Sequence, residues 1–132
     1  GHLDAHLFGA MGKMARQRLG EFNAQDIANT AWAFAKLGQS DVELFGALAR
    51  SAARYLGHFS AQGLANTVWA FAKVGHLDAE LFTVFAKSIE GRLGDFNAQD
   101  LGNTAWAFAK ACHLDARLLT ALARFAERCM DD

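Results

Sequence analysis

The segment FNAQDIANTAWAFAKLG at residues 22–38 decides the fold, because two further copies of it follow in the chain. The second copy is FSAQGLANTVWAFAKVG at 59–75, and the third is FNAQDLGNTAWAFAKAC at 96–112. The first copy matches the second at 12 of 17 positions and the third at 13 of 17, with a constant spacing of 37 residues. A fixed period of this length indicates a repeat protein, in which each unit buries its apolar surface against its neighbours.

Each copy has the chemistry of an amphipathic helix, which we call helix A and predict at 24–36 in the first copy. Asn23 is a favourable N-cap, and Asp26 stands three residues later, where the acid of a capping box belongs. Gly38 predicts a left-handed helix end, as does Gly75 in the second copy. At 100° per residue the apolar side chains share one face, and the predicted core of the first copy is Ile27, Ala28, Ala31, Phe34 and Ala35.

The stretches between the copies predict a second helix in every repeat, which we call helix B. Asp41 is the predicted N-cap of helix B at 42–56, and Gly57 is predicted to end it. The same N-cap position is held by Asp4, Asp78 and Asp115. Two helices per 37 residues predict an all-α fold, namely an α-solenoid (superhelix) of about 3.5 helix-turn-helix repeats, right-handed like similar solenoids.

The 132 residues are predicted to form one α-helical repeat domain, with a helix B in 1–21 and repeats at 22–58, 59–95 and 96–132. We expect it to be a slice of a longer array, since it opens and closes on a helix B stretch without polar caps. The 13 basic and 14 acidic residues exclude a strongly basic nucleic-acid module and a polybasic membrane binder. No apolar run reaches the ~18 residues of a membrane span.

A polar stripe is predicted along each helix A, beside the apolar face. In the first copy the stripe contains Gln25, Asn29 and Lys36 and is flanked by Trp32. The same side chains recur as Gln62, Asn66, Trp69 and Lys73, and as Gln99, Asn103, Trp106 and Lys110. Stacked repeats would align the stripes about one helix diameter (~10 Å) apart. We predict a ligand-binding row, in which amides contact base edges, tryptophans stack on bases and lysines pair with phosphates.

Each column of this row also has a structural interpretation. The asparagines could form an interhelix hydrogen-bond ladder, the tryptophans could pack in the core or a groove, and a lysine at a helix end complements the helix dipole. Identical asparagines in all three copies suit a homopolymer-like ligand or a contact with a ligand backbone. If each repeat reads about one base, three A helices reach only ~3 nucleotides.

The repeated segment resembles the octotricopeptide (OPR) repeat of algal and protist organelle proteins, whose helix A carries a phrase similar to P-Q-D-L-A-N-T-x-W-A-L-A-K-L-G. It is also similar to the repeats found with RAP-domain and FAST-kinase-like proteins. The resemblance implies an α-solenoid that binds RNA in a chloroplast or mitochondrion, in RNA processing, stability or translation. Carried over by position, it implies that Gln25, Asn29, Ala33 and Lys36 and their equivalents contact single-stranded RNA.

Protein binding is the alternative function. A repeated asparagine and tryptophan on a concave face is similar to the way in which armadillo-type repeats bind an extended protein segment. A third possibility is a structural subunit of a large organellar assembly, such as a ribosome or a photosynthetic or respiratory complex, held by neighbouring subunits.

Enzymatic chemistry has no support in the sequence. His76 and His113, one layer apart, would be too distant to share a zinc ion, and Cys112 and Cys129 lack a second cysteine pair. No glycine-rich phosphate loop follows a strand, because no strand is predicted. We therefore expect a non-catalytic binding module without a cofactor or a metal ion.

Overall fold

The computed structural model describes residues 2–111 together with Thr120, Ala123, Arg124 and Glu127. Within these residues it contains six α-helices and no strand, which confirms the all-α class. The helices are α1 (His2–Gln17), α2 (Ala24–Lys36), α3 (Val42–Arg54), α4 (Ala61–Lys73), α5 (Ala79–Glu90) and α6 (Ala98–Lys110). Short 3-10 helices at Leu19–Glu21, Leu56–His58 and Leu93–Asp95 lead into α2, α4 and α6. Of the helix B predicted in 113–132, only Thr120, Ala123, Arg124 and Glu127 are described, and these four are helical.

The A helices α2, α4 and α6 begin at the residues that the sequence predicts. The Asn23 side chain accepts a hydrogen bond from the Asp26 N–H at 2.8 Å, and the Asp26 carboxylate accepts one from the Asn23 N–H at 3.0 Å. Asn97 and Asp100 form the same capping box on α6. On α4 the Ser60 hydroxyl accepts from the backbone N–H at the third helical position. Each helix thus satisfies N–H groups that its own turns leave open.

Glycine ends α2 and α4 in the predicted way. Gly38 has a φ of 72° and Gly75 a φ of 79°, a conformation that other residues adopt only with strain. After α2 the Gln39 N–H donates to the Phe34 carbonyl at 2.8 Å, which is the long hydrogen bond of a Schellman motif. The chain is thereby turned back from helix A towards helix B.

Helix B is shorter than predicted. The helix α3 ends at Arg54 rather than at 56, and Gly57 lies inside the 3-10 helix Leu56–His58 instead of ending the α-helix. The hydrogen bonds tighten there, because the His58 N–H donates to the Tyr55 carbonyl three residues earlier. The sequence offered no signal for this turn other than the glycine itself.

The N-caps of helix B are confirmed in two of the repeats. The Asp41 carboxylate accepts from the Leu44 N–H at 3.0 Å, and the Asp78 carboxylate accepts from the Leu81 N–H at 3.2 Å. The prediction for Asp4 is wrong, because α1 already begins at His2 and Asp4 lies in its first turn. Asp115 lies outside the described residues.

The helices form two layers. The A helices pack side by side, α2 against α4 and α4 against α6, and the B helices α1, α3 and α5 cover them. The predicted core of the first copy is confirmed, since its five members are 0–5% exposed. The same edge-to-face ring pair joins the layers in each repeat, with centroids 5.8, 5.4 and 5.4 Å apart, as Phe8–Phe34, Phe45–Phe71 and Phe82–Phe108. The residue numbers of both partners increase by 37 from one pair to the next, so the two layers stay aligned in the same way from repeat to repeat.

Candidate nucleic-acid interface

The N-terminal halves of α2 and α4 border a polar groove of about 530 Å³, which we call the amide groove. Its polar lining residues are Gln25 and Asn29 from α2, Gln62 and Asn66 from α4, and His58 and Ser60 from the turn before α4. The fold therefore brings four of the predicted site residues together in one place. They meet because the stripe of each helix A faces the same side of the layer.

Small residues allow α2 and α4 to approach closely at the base of the groove. A Cβ atom placed on Gly63 would lie 3.8 Å from the Ala28 Cβ and 3.1 Å from the Ser60 Oγ. A larger side chain at Gly63 would therefore project against the groove lining. The first and third copies carry Asp26 and Asp100 at this position, so the second repeat alone replaces an acid with a glycine.

At a second position of the junction between α2 and α4, the second repeat again lacks the acid that the other repeats carry. His58 precedes the second helix A, where the other repeats have Glu21 and Asp95. Among the described residues that line the amide groove none is acidic, and the α4 sequence contains no acid at all. The groove thus presents amide, hydroxyl and imidazole groups without a carboxylate that would repel an anionic ligand.

The amide side chains are open to solvent. Gln25, Gln62 and Asn29 are exposed, and Asn66 is half-buried. Within the described part of the chain, no hydrogen bond joins the side chains of Asn29, Asn66 and Asn103, so the interhelix ladder is not formed. The buried polar side chains of α4 and α6 are instead Thr67 and Thr104 and the capping acid, with each threonine donating to a backbone carbonyl four residues earlier.

The tryptophan column divides into two kinds of site. Trp32 and Trp106 are 41% and 42% exposed, whereas Trp69 is half-buried against the core and contacts the Trp106 ring at a centroid distance of 6.1 Å. The Lys36 ammonium lies 5.7 Å from the Trp32 centroid, and the Lys110 ammonium lies 5.2 Å from the Trp106 centroid. Such cation–π contacts keep a positive charge beside an exposed aromatic ring.

The remaining predicted residues lie outside the amide groove. Gln99 is exposed and Asn103 is half-buried on α6, and Lys73 is exposed at the end of α4. The junction of α4 with α6 carries Asp100, which is 5% exposed and accepts the Asn97 N–H at 3.1 Å. The two junctions between A helices therefore differ in charge although their sequences are nearly the same.

Sequence reasoning missed His58 and Ser60 as lining residues. A repeated stripe consists of positions that are identical in all copies, and these two positions vary. The available signal was the variation itself, because Glu21, His58 and Asp95 differ within otherwise similar repeats.

The described residues also bear on two other classes of feature, metal centres and membrane spans. In this part of the chain no group of three or more His, Cys, Asp or Glu side chains is placed to hold a metal ion. Nor does any described helix have the length and apolar character needed to cross a bilayer. His113, Cys112 and Cys129 lie outside the described range.

Residues 2–131 match the model of a family described as RNA-editing substrate-binding complex 6 protein (RESC6). A comparison with curated proteins gives no match. The family match covers nearly the whole chain, including all three copies of helix A.

Proposed function

The chain belongs to the RNA-editing substrate-binding complex 6 protein family, and we propose that it is a non-catalytic, OPR-like helical-repeat module that binds single-stranded RNA. The observation that carries the proposal is the amide groove, in which two A helices present four amide side chains and the described lining has no acid. Family membership supports an RNA-related role for this surface. We further propose that the two layers continue as a right-handed α-solenoid of about 3.5 repeats of 37 residues.

The amide groove suits the edges of unpaired bases. A glutamine or asparagine side chain carries both a donor and an acceptor, as do base edges. Sequence-specific RNA recognition targets unstacked bases, whose edges can reach such groups. We assign this role to Gln25, Asn29, Gln62 and Asn66, with Gln99 and Asn103 extending the row along α6.

The tryptophan and lysine columns supply sequence-independent affinity. Exposed aromatic rings can stack on any base, and we assign this role to Trp32, Trp106 and the half-buried Trp69. Lys36, Lys73 and Lys110 are assigned to phosphates. Because three lysines are few, the affinity is expected to be moderate and to depend on salt.

The proposal extends to the cellular compartment and the other partners. RNA-editing complexes support an organellar location, the mitochondrion, whereas the chloroplast implied by the OPR resemblance has no support. Neighbouring subunits of an RNA-editing complex are the second class of partner. An extended protein segment bound by the same amides is the competing hypothesis, and it is an outcome of the experiment below.

The experiment is a titration of a single-stranded RNA of about ten nucleotides at about 50 and about 200 mM salt. The critical variant is Asn66→Ala in the groove, and the matched control is Gln17→Ala, which removes an exposed amide of α1 outside the row. We expect Asn66→Ala to weaken binding about three- to tenfold, which is the effect of one lost hydrogen bond (~0.5–1.5 kcal/mol). Its melting temperature should stay unchanged, because the Asn66 amide makes no hydrogen bond within the described chain.

Three outcomes would contradict the proposal. The first is an absence of RNA binding at the lower salt. The second is an equal loss of affinity in Asn66→Ala and Gln17→Ala. The third is binding of an extended peptide by the groove that RNA does not compete with, which would instead support the protein-binding hypothesis.

A further inference from the structure

The turn that leads into α4 carries a pair of aromatic rings. The Tyr55 and His58 rings meet edge to face, with their centroids 6.0 Å apart and an angle of 89° between their planes. The turns that lead into α2 and α6 have an arginine and an acid at these two positions, namely Arg18 with Glu21 and Arg92 with Asp95. The second repeat therefore replaces a pair of charged side chains with two rings.

The fold of this turn does not depend on the two rings. In all three turns the backbone N–H at the position of His58 donates to the carbonyl at the position of Tyr55, at 2.9 Å each time. The turn into α4 is also held by the next repeat, because the Arg92 guanidinium donates a hydrogen bond to the Phe59 carbonyl. Since the same turn forms with an arginine and an acid in place of the rings, the ring pair is available for a role other than folding.

The ring pair adjoins the amide groove. His58 lines the groove together with Phe59 and Ser60, and Tyr55, the C-cap of α3, contacts the His58 ring. Both rings belong to exposed side chains, and Tyr55 is 37% exposed. In an edge-to-face pair, the ring that presents its edge keeps both of its faces clear of its partner. The pair thus offers an open aromatic face beside the groove.

The surroundings of the rings are complete and carry positive charge. The described structure continues on both sides of the turn, with α1 and α2 before it and α5 and α6 after it, and the 3-10 helix Leu56–His58 packs against α5. Arg54 is exposed and Arg92 is half-buried. Asp95 lies 4.0 Å from the Arg92 Nε and balances part of this charge. Aromatic faces beside cations are the groups with which proteins hold single-stranded nucleic acids.

We infer that Tyr55 and His58 form a stacking subsite for an unpaired RNA base where the strand leaves the amide groove. The inference rests on the RNA binding proposed above and extends it, because every contact proposed there lies on a helix A and this subsite lies in the turn between α3 and α4. Tyr55 supplies the ring face, and His58 joins that ring to the groove. The ligand is a single strand, since a base inside a duplex is already stacked and paired.

The first test compares Tyr55→Leu with Tyr55→Phe. Both are titrated with a single-stranded RNA of about ten nucleotides and with inorganic polyphosphate of similar length. Leucine keeps an apolar contact but has no ring, whereas phenylalanine keeps the ring face. We expect Tyr55→Leu to weaken RNA binding about fivefold or more, which is the effect of losing one base–aromatic stack, and Tyr55→Phe to bind RNA like the wild type. Polyphosphate has no bases, so both variants should bind it as the wild type does.

The second test needs no substitution, because Tyr55 is the only tyrosine of the 132 residues. Ring-labelled tyrosine therefore gives one set of NMR signals in the wild type. RNA should shift these signals upfield, as a stacked base does, and polyphosphate should leave them in place. Tyr55 signals that do not move when RNA binds, or an RNA affinity of Tyr55→Leu equal to that of the wild type, would overturn the inference and leave the proposed function standing. A wild type that binds no RNA would overturn both.

Discussion

The junction of α2 with α4 and the junction of α4 with α6 are built from almost the same sequence but differ in chemistry. At the first junction Gly63 and His58 stand where the other repeats have acids, and the polar amide groove is open. At the second, Asp100 is buried in its capping box and the Trp69 and Trp106 rings are in contact. Both junctions nevertheless pack their helices in the same way.

This difference shows which positions of the repeat determine stacking and which are free to vary. The phenylalanine pairs that join a helix A to a helix B recur beside both junctions, and their rings belong to the buried core. The positions that change lie at the rim, where a side chain alters the local charge without altering the core. A repeat protein can therefore give one junction a binding chemistry that its neighbour lacks.

The largest expected effect is a loss of stability when one ring of a phenylalanine pair is removed, because these pairs recur beside both junctions. Phe71 is 0% exposed and contacts the Phe45 ring edge-to-face, so Phe71→Ala should lower the free energy of unfolding by about 3–5 kcal/mol. Denaturant unfolding measures the change. Val42→Ala, at a position that is 76% exposed, is the control and should change stability by less than about 0.5 kcal/mol. Equal effects of the two substitutions would show that the core is not organised around the ring pairs.

Substitutions of the tryptophans are expected to act in two ways. Loss of the half-buried ring should lower stability, and loss of an exposed ring should weaken RNA binding. Trp69→Ala removes a half-buried ring from the core surface, and we expect a loss of about 2–3 kcal/mol of stability. Trp32→Ala should lose about 1 kcal/mol of stability but also about 1–2 kcal/mol of RNA binding, because its exposed ring is the proposed stacking platform. Denaturant unfolding and RNA titration of both variants measure the two effects. A Trp32→Ala variant that binds RNA as tightly as the wild type would contradict a stacking role for this ring.

A smaller effect is expected from a single lysine of the row. Lys36 is exposed beside Trp32, and its neutralisation in Lys36→Gln should remove one phosphate contact. The slope of log affinity against log salt for single-stranded RNA should then become shallower by about 0.7. Lys87→Gln on the exposed surface of α5 is the matched control and should leave the slope unchanged. An identical change in both variants would show that only the overall charge matters.

Much of the fold follows from the sequence, because the repeat supplies the same signals several times. The capping box of Asn23, the left-handed Gly38 and the apolar face around Ile27 all rest on local chemistry, and all are confirmed. The predicted end of α3 at residue 56 is wrong, because a 3-10 turn and the last turn of an α-helix have similar sequences near Gly57. The prediction of Asp4 as an N-cap is wrong, because α1 extends further towards the N-terminus than the repeat pattern indicates.

The candidate site could be predicted only in part. Periodicity placed Gln25, Asn29 and Trp32 on one solvent-facing side, which depends on helix geometry alone. It could not indicate that two stripes form a groove with His58, since that requires the turn before α4 to approach α2. Whether a tryptophan is exposed depends on its neighbours across the junction, so identical residues such as Trp69 and Trp106 have different surroundings.

The most direct test of the RNA-binding account is the RNA affinity of Gly63→Asp. This substitution gives the second repeat the acid of the other two and places a carboxylate against the amide groove, where it would repel phosphates and compete for the amides. We expect affinity to fall about fivefold or more, as one added like charge at close range predicts. The melting temperature is measured in parallel, because a Cβ atom at this position would lie 3.1 Å from the Ser60 Oγ. Ala53→Asp, with the same charge change on the outer layer, should bind RNA like the wild type. An affinity of Gly63→Asp equal to that of Ala53→Asp would contradict the assignment of the amide groove as the RNA site.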